Sequence, residues 1–243
     1  ATPSALKRRF NQEYEKRTDR ISFRDCLINS AQQFILRKEK KTEVTAGFHW
    51  YGTSARSTFQ SLPGLTIPLG DKKTFKAVCD TLVSKLDRGL FPDLGPDDQL
   101  NYSSVDASLW FFWALQQYCI QTGDCEFIWN KYSKSIKSII KYFTEGTEHN
   151  IGMMKNGLIY AGEPGKALTW MNAIAMGKPV TPRVGLPVEV NALWYNALAF
   201  CAELAERAGE KTTAKRWNTM KDKTGQACIE TYWDTEKKYL ADF

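Results

Sequence analysis

Residues 104–118 read SVDASLWFFWALQQY, and this stretch decides the fold class. Ser104 suits the N-cap of a helix, and the residues after it are apolar nearly all round the helix that they predict. Alternation of apolar and polar residues, which marks a half-buried strand, is nearly absent here and along the rest of the chain. The sequence therefore predicts an all-α protein.

The apolar spacing of an amphipathic helix recurs on both sides of this stretch. In residues 74–86 it places Phe75, Val78, Leu82 and Leu86 on one stripe. The same reasoning predicts helices over residues 21–36, 57–69, 127–143, 188–208 and 212–233, and a polar helix over residues 4–18. Residues 57–69 are almost wholly apolar, as in a buried helix.

The connections between the predicted helices are of two kinds. Short connections such as 68–73 and 121–124 carry glycine, whereas 41–56, 89–103 and 145–187 are long and rich in Gly, Pro, Asn and aromatic residues. Because long and short connections alternate, we expect the long loops to gather at the same end of the helices. This pattern favours helical hairpins in a ring or toroid with a site at that end, and an ordinary helix bundle is the alternative.

The composition of this 243-residue chain is that of a globular protein, with 43% hydrophobic and 25% charged residues. The net charge of +6 is modest, and its basic runs at 7–9 and 37–41 are interpreted as solvated helix ends. We therefore expect no nucleic-acid partner. No window approaches 18 uninterrupted apolar residues, so we expect no membrane partner either.

The cysteine pattern indicates a reducing compartment. None of the six cysteines forms a CxxC pair, and Cys79, Cys119 and Cys201 lie within apolar helical patterns, where cysteine behaves as a small hydrophobe. We therefore expect a cytoplasmic protein.

Nothing in the sequence indicates a metal ion or a cofactor. His49 and His149 are the only histidines, and the scattered thiols do not complete a zinc site with them. Asp93, Asp97 and Asp98 lack the spacing of a calcium-binding loop and are interpreted as a solvated acidic loop.

Aromatic residues, at 13% of the chain, stand at the edges of several Gly- and Pro-containing loops. Trp50, Tyr51, Tyr102, Tyr160 and Trp170 are the examples. Flat apolar faces beside polar loop groups are what a sugar ring needs. Core packing is the alternative for each of them.

Five motifs in and beside the long loops resemble a known family in their order and spacing. They are AGFHWYG at 46–52 with the following RSTF at 56–59 and SLPGL at 61–65, NYSSVDASLWF at 101–111, LTWMNA at 168–173, VTPR at 180–183 and PVEVNALWYNAL at 187–198. The chain resembles the C-terminal amylo-α-1,6-glucosidase domain of glycogen debranching enzymes from about residue 20 to its end.

The resemblance implies an (α/α)6 toroid, and we expect residues 1–243 to form a single helical domain that is the N-terminal part of one. A closed ring of six hairpins has twelve helices, so we interpret the chain as a fragment. The implied reaction removes one glucose from an α-1,6 branch stub of an α-glucan, with inversion. Inversion requires a protonated carboxyl as acid and an ionised carboxyl roughly 6.5–9.5 Å away to activate water. Burial or a neighbouring carboxylate must keep the acid protonated near neutral pH.

Two expected carboxylates are replaced in this chain. Relatives have Asp after Leu-Thr-Trp-Met, where it would be the general acid, and this chain has Asn172. Relatives have Gly-Arg-Asp-Thr in the first loop, where Ser57 now stands in place of the aspartate that would bind glucose hydroxyls. Losing such a charged acceptor costs about 1.5–3 kcal/mol. The expected general base lies beyond Phe243, so we expect this segment alone to be inactive.

The resemblance therefore implies a site that combines retained and altered positions. Its catalytic positions are Asn172, where the general acid is expected, and Asp106, a candidate carboxylate. Its substrate-binding positions are Trp50, Arg56, Ser57, Tyr102, Trp170, Arg183 and Glu189. The implied partner is an α-glucan or maltooligosaccharide.

Simpler explanations exist for several of these residues. Asp106 and Glu189 would favour the N-termini of their helices electrostatically, Arg56 and Arg183 would be structural partners of those carboxylates, and Trp170 would be a core anchor. For the protein as a whole three hypotheses stand. They are a working glucosidase in which another carboxyl such as Asp106 takes the acid role, a glucan-binding relative that has lost catalysis, and a purely structural helical domain.

Overall fold

The computed structural model of the protein describes residues 2–15, 17–38, 41–48, 51–93 and 100–243. Helices dominate the described residues, which confirms the predicted all-α class. Their bounds are α1 (Pro3–Glu15), α2 (Phe23–Gln33), α3 (Ala55–Thr66), α4 (Lys72–Val83), α5 (Ala107–Thr122), α6 (Cys125–Glu145), α7 (Val188–Arg207) and α8 (Lys211–Tyr232). Short 3-10 turns follow α3 at Ile67–Leu69 and α6 at Glu148–Asn150.

Side-chain caps fix where several helices begin. Ser54 accepts a hydrogen bond from the backbone of the third residue after it and so starts α3. Asp71 does the same for α4, and Asp124 for α6. Ser22 and Asp25 form a reciprocal capping box at the start of α2. Each cap satisfies a backbone N–H that the helix itself leaves unpaired.

The strands in the described ranges are short and lie in two-stranded antiparallel hairpins. They pair as β1 (Ile35–Lys38) with β2 (Lys41–Val44), β3 (Gly152–Met153) with β4 (Ile159–Tyr160), β5 (Ile174–Ala175) with β6 (Lys178–Pro179), and β7 (Trp233–Asp234) with β8 (Tyr239–Leu240). The first hairpin corrects the predicted helix over residues 21–36, which ends at Gln33. Ile35 pairs with Val44 and both are buried, so tertiary pairing of β1 overrides the helical spacing.

One continuous apolar core runs from Val44 to Trp217, and α5 lies within it. The helix contacts α3, α6 and α7, which explains why it is apolar nearly all round. The ring of Phe111 lies 5.1 Å from the rings of Phe59 and Phe91 and 5.9 Å from that of Tyr132. Helix α3 is buried as predicted.

The long loops meet at one end of the helices, as the alternation predicts. The backbone N–H of Val105 donates to the Leu168 carbonyl at 2.9 Å, which joins the loop before α5 to the loop before α7. The Ala55 N–H donates to the Pro92 carbonyl at 3.2 Å, which joins the start of α3 to the same region. We call this region the long-loop end.

The cysteines are free thiols. Cys79, Cys119 and Cys201 are buried, as predicted, and desolvation by burial raises the pKa of each thiol. Among the helices of the described ranges, none has the length and apolar character needed to cross a membrane.

Candidate functional site

The first part of the site is a buried ion pair between Arg56 and Asp106. Arg56, in the first turn of α3, donates from Nε to both carboxylate oxygens of Asp106 at 2.8 and 2.9 Å. Its Nη2 also donates to Ser104 Oγ at 2.7 Å, and that hydroxyl donates to Asp106 Oδ1 at 2.9 Å. Asp106 is only 1% exposed. Both oxygens of Asp106 are therefore occupied by protein donors.

A second carboxylate, Asp93, completes this cluster. Asp93 accepts a hydrogen bond from Ser54 Oγ at 2.9 Å, and its Oδ2 lies 3.8 Å from Arg56 Nη1. It is buried, so the interpretation of Asp93 as part of a solvated loop is wrong. The guanidinium of Arg56 has donors on more than one edge, and Asp93 faces one that Asp106 leaves open. Asp97 and Asp98 lie outside the described residues.

We call this group (Ser54, Arg56, Asp93, Ser104 and Asp106) the Arg56 cluster. Asp106 stands at the N-cap of α5, but its side chain caps no backbone N–H. The electrostatic interaction with the helix N-terminus suggested for Asp106 needs no such hydrogen bond and stays a prediction. The alternative in which Arg56 is the structural partner of Asp106 describes the contacts of Asp106.

The second part of the site is centred on Arg183. Its Nη1 and Nη2 form a two-point contact with the Glu189 carboxylate, the latter at 2.8 Å. Its Nη2 and Nε bind the Asp242 carboxylate at 2.7 and 3.0 Å. These hydrogen bonds, that of Glu189 foremost, raise the pKa of Arg183. We call Thr169, Arg183, Glu189 and Asp242 the Arg183 cluster.

The carboxylates of the Arg183 cluster reach solvent although the arginine does not. The side chain of Arg183 is 1% exposed, whereas those of Glu189 and Asp242 are 28% and 58% exposed. Glu189 lies in the first turn of α7, as its sequence position suggested. Here a buried guanidinium holds two partly exposed carboxylates. Each of their four oxygens accepts a hydrogen bond from Arg183, so a ligand would use the remaining lone pairs on the solvent side.

Thr169 connects the two clusters. Its hydroxyl accepts hydrogen bonds from Arg183 Nη1 and from the Met171 N–H, both at 3.3 Å. The residue before it, Leu168, accepts the backbone hydrogen bond of Val105, which precedes Asp106 in the chain. The LTWMN motif is thus anchored at its start to both clusters, while its Trp170 is 59% exposed and Asn172 is exposed.

The other predicted site residues differ in their burial and in their contacts. Ser57 is exposed on the first turn of α3, beside Arg56. Tyr102 is half-buried against the core, and its hydroxyl donates to the Lys85 carbonyl at 2.8 Å. Desolvation by burial raises the pKa of Tyr102. Trp50, with its neighbour His49, lies outside the described residues.

Sequence reasoning missed five contributors to the site: Ser54, Ser104 as a side-chain donor, Asp93, Thr169 and Asp242. Ser104 and Thr169 belong to the quoted motifs, so the motifs did signal the right segments. Asp93 and Asp242 belong to none of the motifs, and only the fold brings them to the arginines. Within the described residues no group of three or more His, Cys, Asp or Glu side chains could hold a metal ion.

Comparison with solved structures defines the class of fold. The chain is similar to the GH78 family rhamnosidase of Bacillus sp. GL1, with a TM-score of 0.55 and 19% sequence identity. The match covers 77% of this chain but only 18% of that chain. At this identity the likeness concerns the fold alone. Together with the alternating loops, it identifies an all-α fold of the (α/α)6 toroid class.

The family follows from the sequence. A family model described as amylo-alpha-1,6-glucosidase matches residues 29–243. The chain therefore belongs to this family of glycoside-hydrolase-like domains, the type found at the C-terminus of glycogen debranching enzymes. Comparison with curated proteins gave no match.

Proposed function

We propose that this chain is part of an amylo-α-1,6-glucosidase. In this proposal the enzyme binds α-glucan at the long-loop end and hydrolyses α-1,6-glucosyl branch stubs with inversion. The observation that carries the proposal is the joining of the two arginine clusters through the LTWMN segment, which also carries the exposed Trp170. Every element of that arrangement lies inside the region that matches the family.

The chemistry of the open carboxylates supports sugar recognition. Sugar hydroxyls donate to carboxylate oxygens, and ionised acceptors form stronger hydrogen bonds than neutral ones. Glu189 and Asp242 present such oxygens to solvent, held in place by the buried Arg183. Trp170 adds a flat apolar face that suits a sugar ring. We assign substrate contact to these three residues.

Asp106 has a different role in this proposal. It remains the candidate carboxylate of the first cluster, but Arg56 and Ser104 occupy its oxygens. The oxygens of Glu189 and Asp242 are hydrogen-bonded as well, but Asp106 differs from them in being only 1% exposed, so it has no solvent-facing lone pairs to offer a ligand. We therefore assign Arg56 and Asp106 to holding the start of α5, next to the LTWMN anchor, and Ser57 and Tyr102 to the edge of the site.

A second candidate is an α-glucan-binding relative with impaired catalysis. It is favoured by Asn172, because an amide has no acidic proton to give a leaving oxygen. Ser57 favours it too, since a hydroxyl binds a sugar more weakly than the expected carboxylate. In that candidate the Arg183 cluster and Trp170 still hold the glucan.

Binding is tested by calorimetric titration of the chain with a maltooligosaccharide, in the wild type and in Glu189→Gln. We expect the variant to weaken binding by about tenfold, because a charged acceptor becomes neutral. Glu203→Gln is the matched control, since Glu203 pairs with Arg207 on the exposed face of α7. Equal maltooligosaccharide affinity in Glu189→Gln and Glu203→Gln would show that the Arg183 cluster does not contact the glucan.

Catalysis is tested by glucose release from a branched α-glucan in the intact protein, with and without Asn172→Asp. Glucose release by the wild type supports the debranching proposal. If the wild type binds glucan and releases no glucose, the glucan-binding candidate replaces it, and release that appears only with Asn172→Asp would locate the loss of catalysis at this position. The proposal also includes one helical domain over residues 1–243, for which the continuous core supports the part from Val44 to Trp217. It includes a cytoplasmic location as well, supported by the free thiols.

A further inference from the structure

A separate cleft lies away from the long-loop end, between α1, the connection that follows it, α2 and the end of α3. Its volume is about 1060 Å³. Five arginines line it: Arg9, Arg17, Arg20, Arg24 and Arg37. The family match begins at residue 29, so the first four belong to a part of the chain that the match does not include.

Positive charge in this cleft exceeds its local compensation. Two carboxylates, Glu13 and Asp71, line the cleft with the five arginines. Asp71 is engaged already, because it caps α4 and lies 3.6 Å from Arg37. Among the described residues, Arg9, Arg17, Arg20 and Arg24 form no ion pair with a carboxylate.

Hydrogen bonds that do not involve the arginines hold the walls of the cleft in place. The Asn29 side chain, buried on α2, donates from Nδ2 to the Thr18 carbonyl at 2.6 Å and ties the connection to the helix. The capping box of Ser22 and Asp25 fixes the start of α2 between Arg20 and Arg24. The two arginines are therefore carried by backbone that has a defined position.

We propose that this cleft binds a small compound with two or more phosphate groups. Guanidinium groups match phosphate oxygens two at a time, and like charges in a concave wall concentrate the field on an anion. The volume is of the order that small-molecule sites have. The described residues that line the cleft include no aromatic side chain, so they offer no stacking surface of the kind on which nucleic-acid bases are bound.

The test is calorimetric titration of the whole chain with two probes, pyrophosphate and fructose 1,6-bisphosphate, at moderate salt. We expect one-to-one binding of at least one probe with a Kd below about 1 mM. Arg20→Gln combined with Arg24→Gln should weaken it about tenfold or more. Arg216→Gln, an exposed arginine on α8, is the control and should leave the affinity unchanged.

The two probes also distinguish the source of the phosphates. Binding of both indicates recognition of the phosphates themselves, and binding of the bisphosphate alone indicates a phosphorylated sugar; either result supports the proposal. Three results overturn it: failure of both probes to bind a chain with native circular dichroism, equal affinity in the double variant, and binding of DNA or polyglutamate when neither probe binds. None of them depends on glucan binding at the long-loop end.

Discussion

The two arginine clusters of the long-loop end have similar parts and opposite exposure. Arg56 and Arg183 are both buried, and each faces two carboxylates. Around Arg56 the carboxylates are buried as well, whereas around Arg183 they extend into solvent. The difference suggests a division of labour in which the Arg56 cluster holds the loops and the Arg183 cluster meets the ligand.

The largest effect is expected from removing the guanidinium of the closed cluster. Arg56→Ala leaves Asp93 and Asp106 buried without a cation, and breaking a buried pair in this way costs about 3–5 kcal/mol of unfolding free energy. Denaturant titration would measure the loss. Arg56→Lys is the control, and it should retain part of the stability because it keeps the charge. A loss below about 1 kcal/mol, as for an exposed pair, would show that burial does not distinguish the clusters.

A smaller effect on stability is expected at the open cluster. In Arg183→Ala the carboxylates of Glu189 and Asp242 can turn to water, so the loss should be about 1–2 kcal/mol. Maltooligosaccharide affinity should nevertheless fall about tenfold or more, because the two acceptors lose their support. The comparison fails if this variant destabilises the protein more than Arg56→Ala does.

The connection between the clusters can be tested at Thr169. Thr169→Val keeps the shape of the side chain but removes the acceptor for Arg183 and for the Met171 N–H, at a cost of about 1 kcal/mol. Thr169→Ser keeps the hydroxyl and is the matched control. We expect thermal unfolding to show the loss in the valine variant alone. Identical unfolding of the two variants would argue that the LTWMN segment is held by other contacts.

The smallest effect concerns a carboxylate outside both clusters. Burial alone would raise the pKa of Glu43, but hydrogen bonds from Lys38 and Lys85 lower it below the ordinary value of 4.5. Because the folded-state pKa is lower than the unfolded one, this contribution is present above pH 4.5 and is lost as the pH falls through the folded value.

Glu43→Gln should therefore flatten the acid side of the stability profile, measured by denaturant titration between neutral pH and the acid transition. Glu203→Gln is the exposed control and should leave the profile unchanged. An unchanged profile in Glu43→Gln would show that the lysine contacts do not favour the ionised form.

The helices could be predicted from the sequence because their signal is local. Helix α5, for example, is apolar nearly all round. The predicted N-cap Ser104 is wrong, because α5 has Asp106 at its N-cap, and the Ser104 hydroxyl contacts Arg56 and Asp106 instead. The β1–β2 hairpin was missed because its pairing of Ile35 with Val44 depends on the core beneath it. Local spacing carries no information about such partners.

Only those site residues that lie in the quoted motifs could be predicted from the sequence. Arg56, Asp106, Arg183 and Glu189 were found in quoted motifs, but which of them are closed and which are open could not be read from the sequence. That distinction depends on Asp93 and Asp242, which lie far along the chain from the arginines that they meet. Burial and pairing at that distance are properties of the fold.

The most direct test of the account is tryptophan fluorescence during titration with a maltooligosaccharide, in the wild type, Trp170→Phe and Trp233→Phe. Both tryptophans are exposed. Trp170 follows Thr169 in the LTWMN segment, whereas Trp233 lines the groove between α7 and α8 and serves as the control. The account predicts a saturable change in the wild type and in Trp233→Phe that is lost or greatly reduced in Trp170→Phe. No change in the folded wild type at millimolar sugar, or an unaltered change in Trp170→Phe, would contradict a glucan site at the long-loop end.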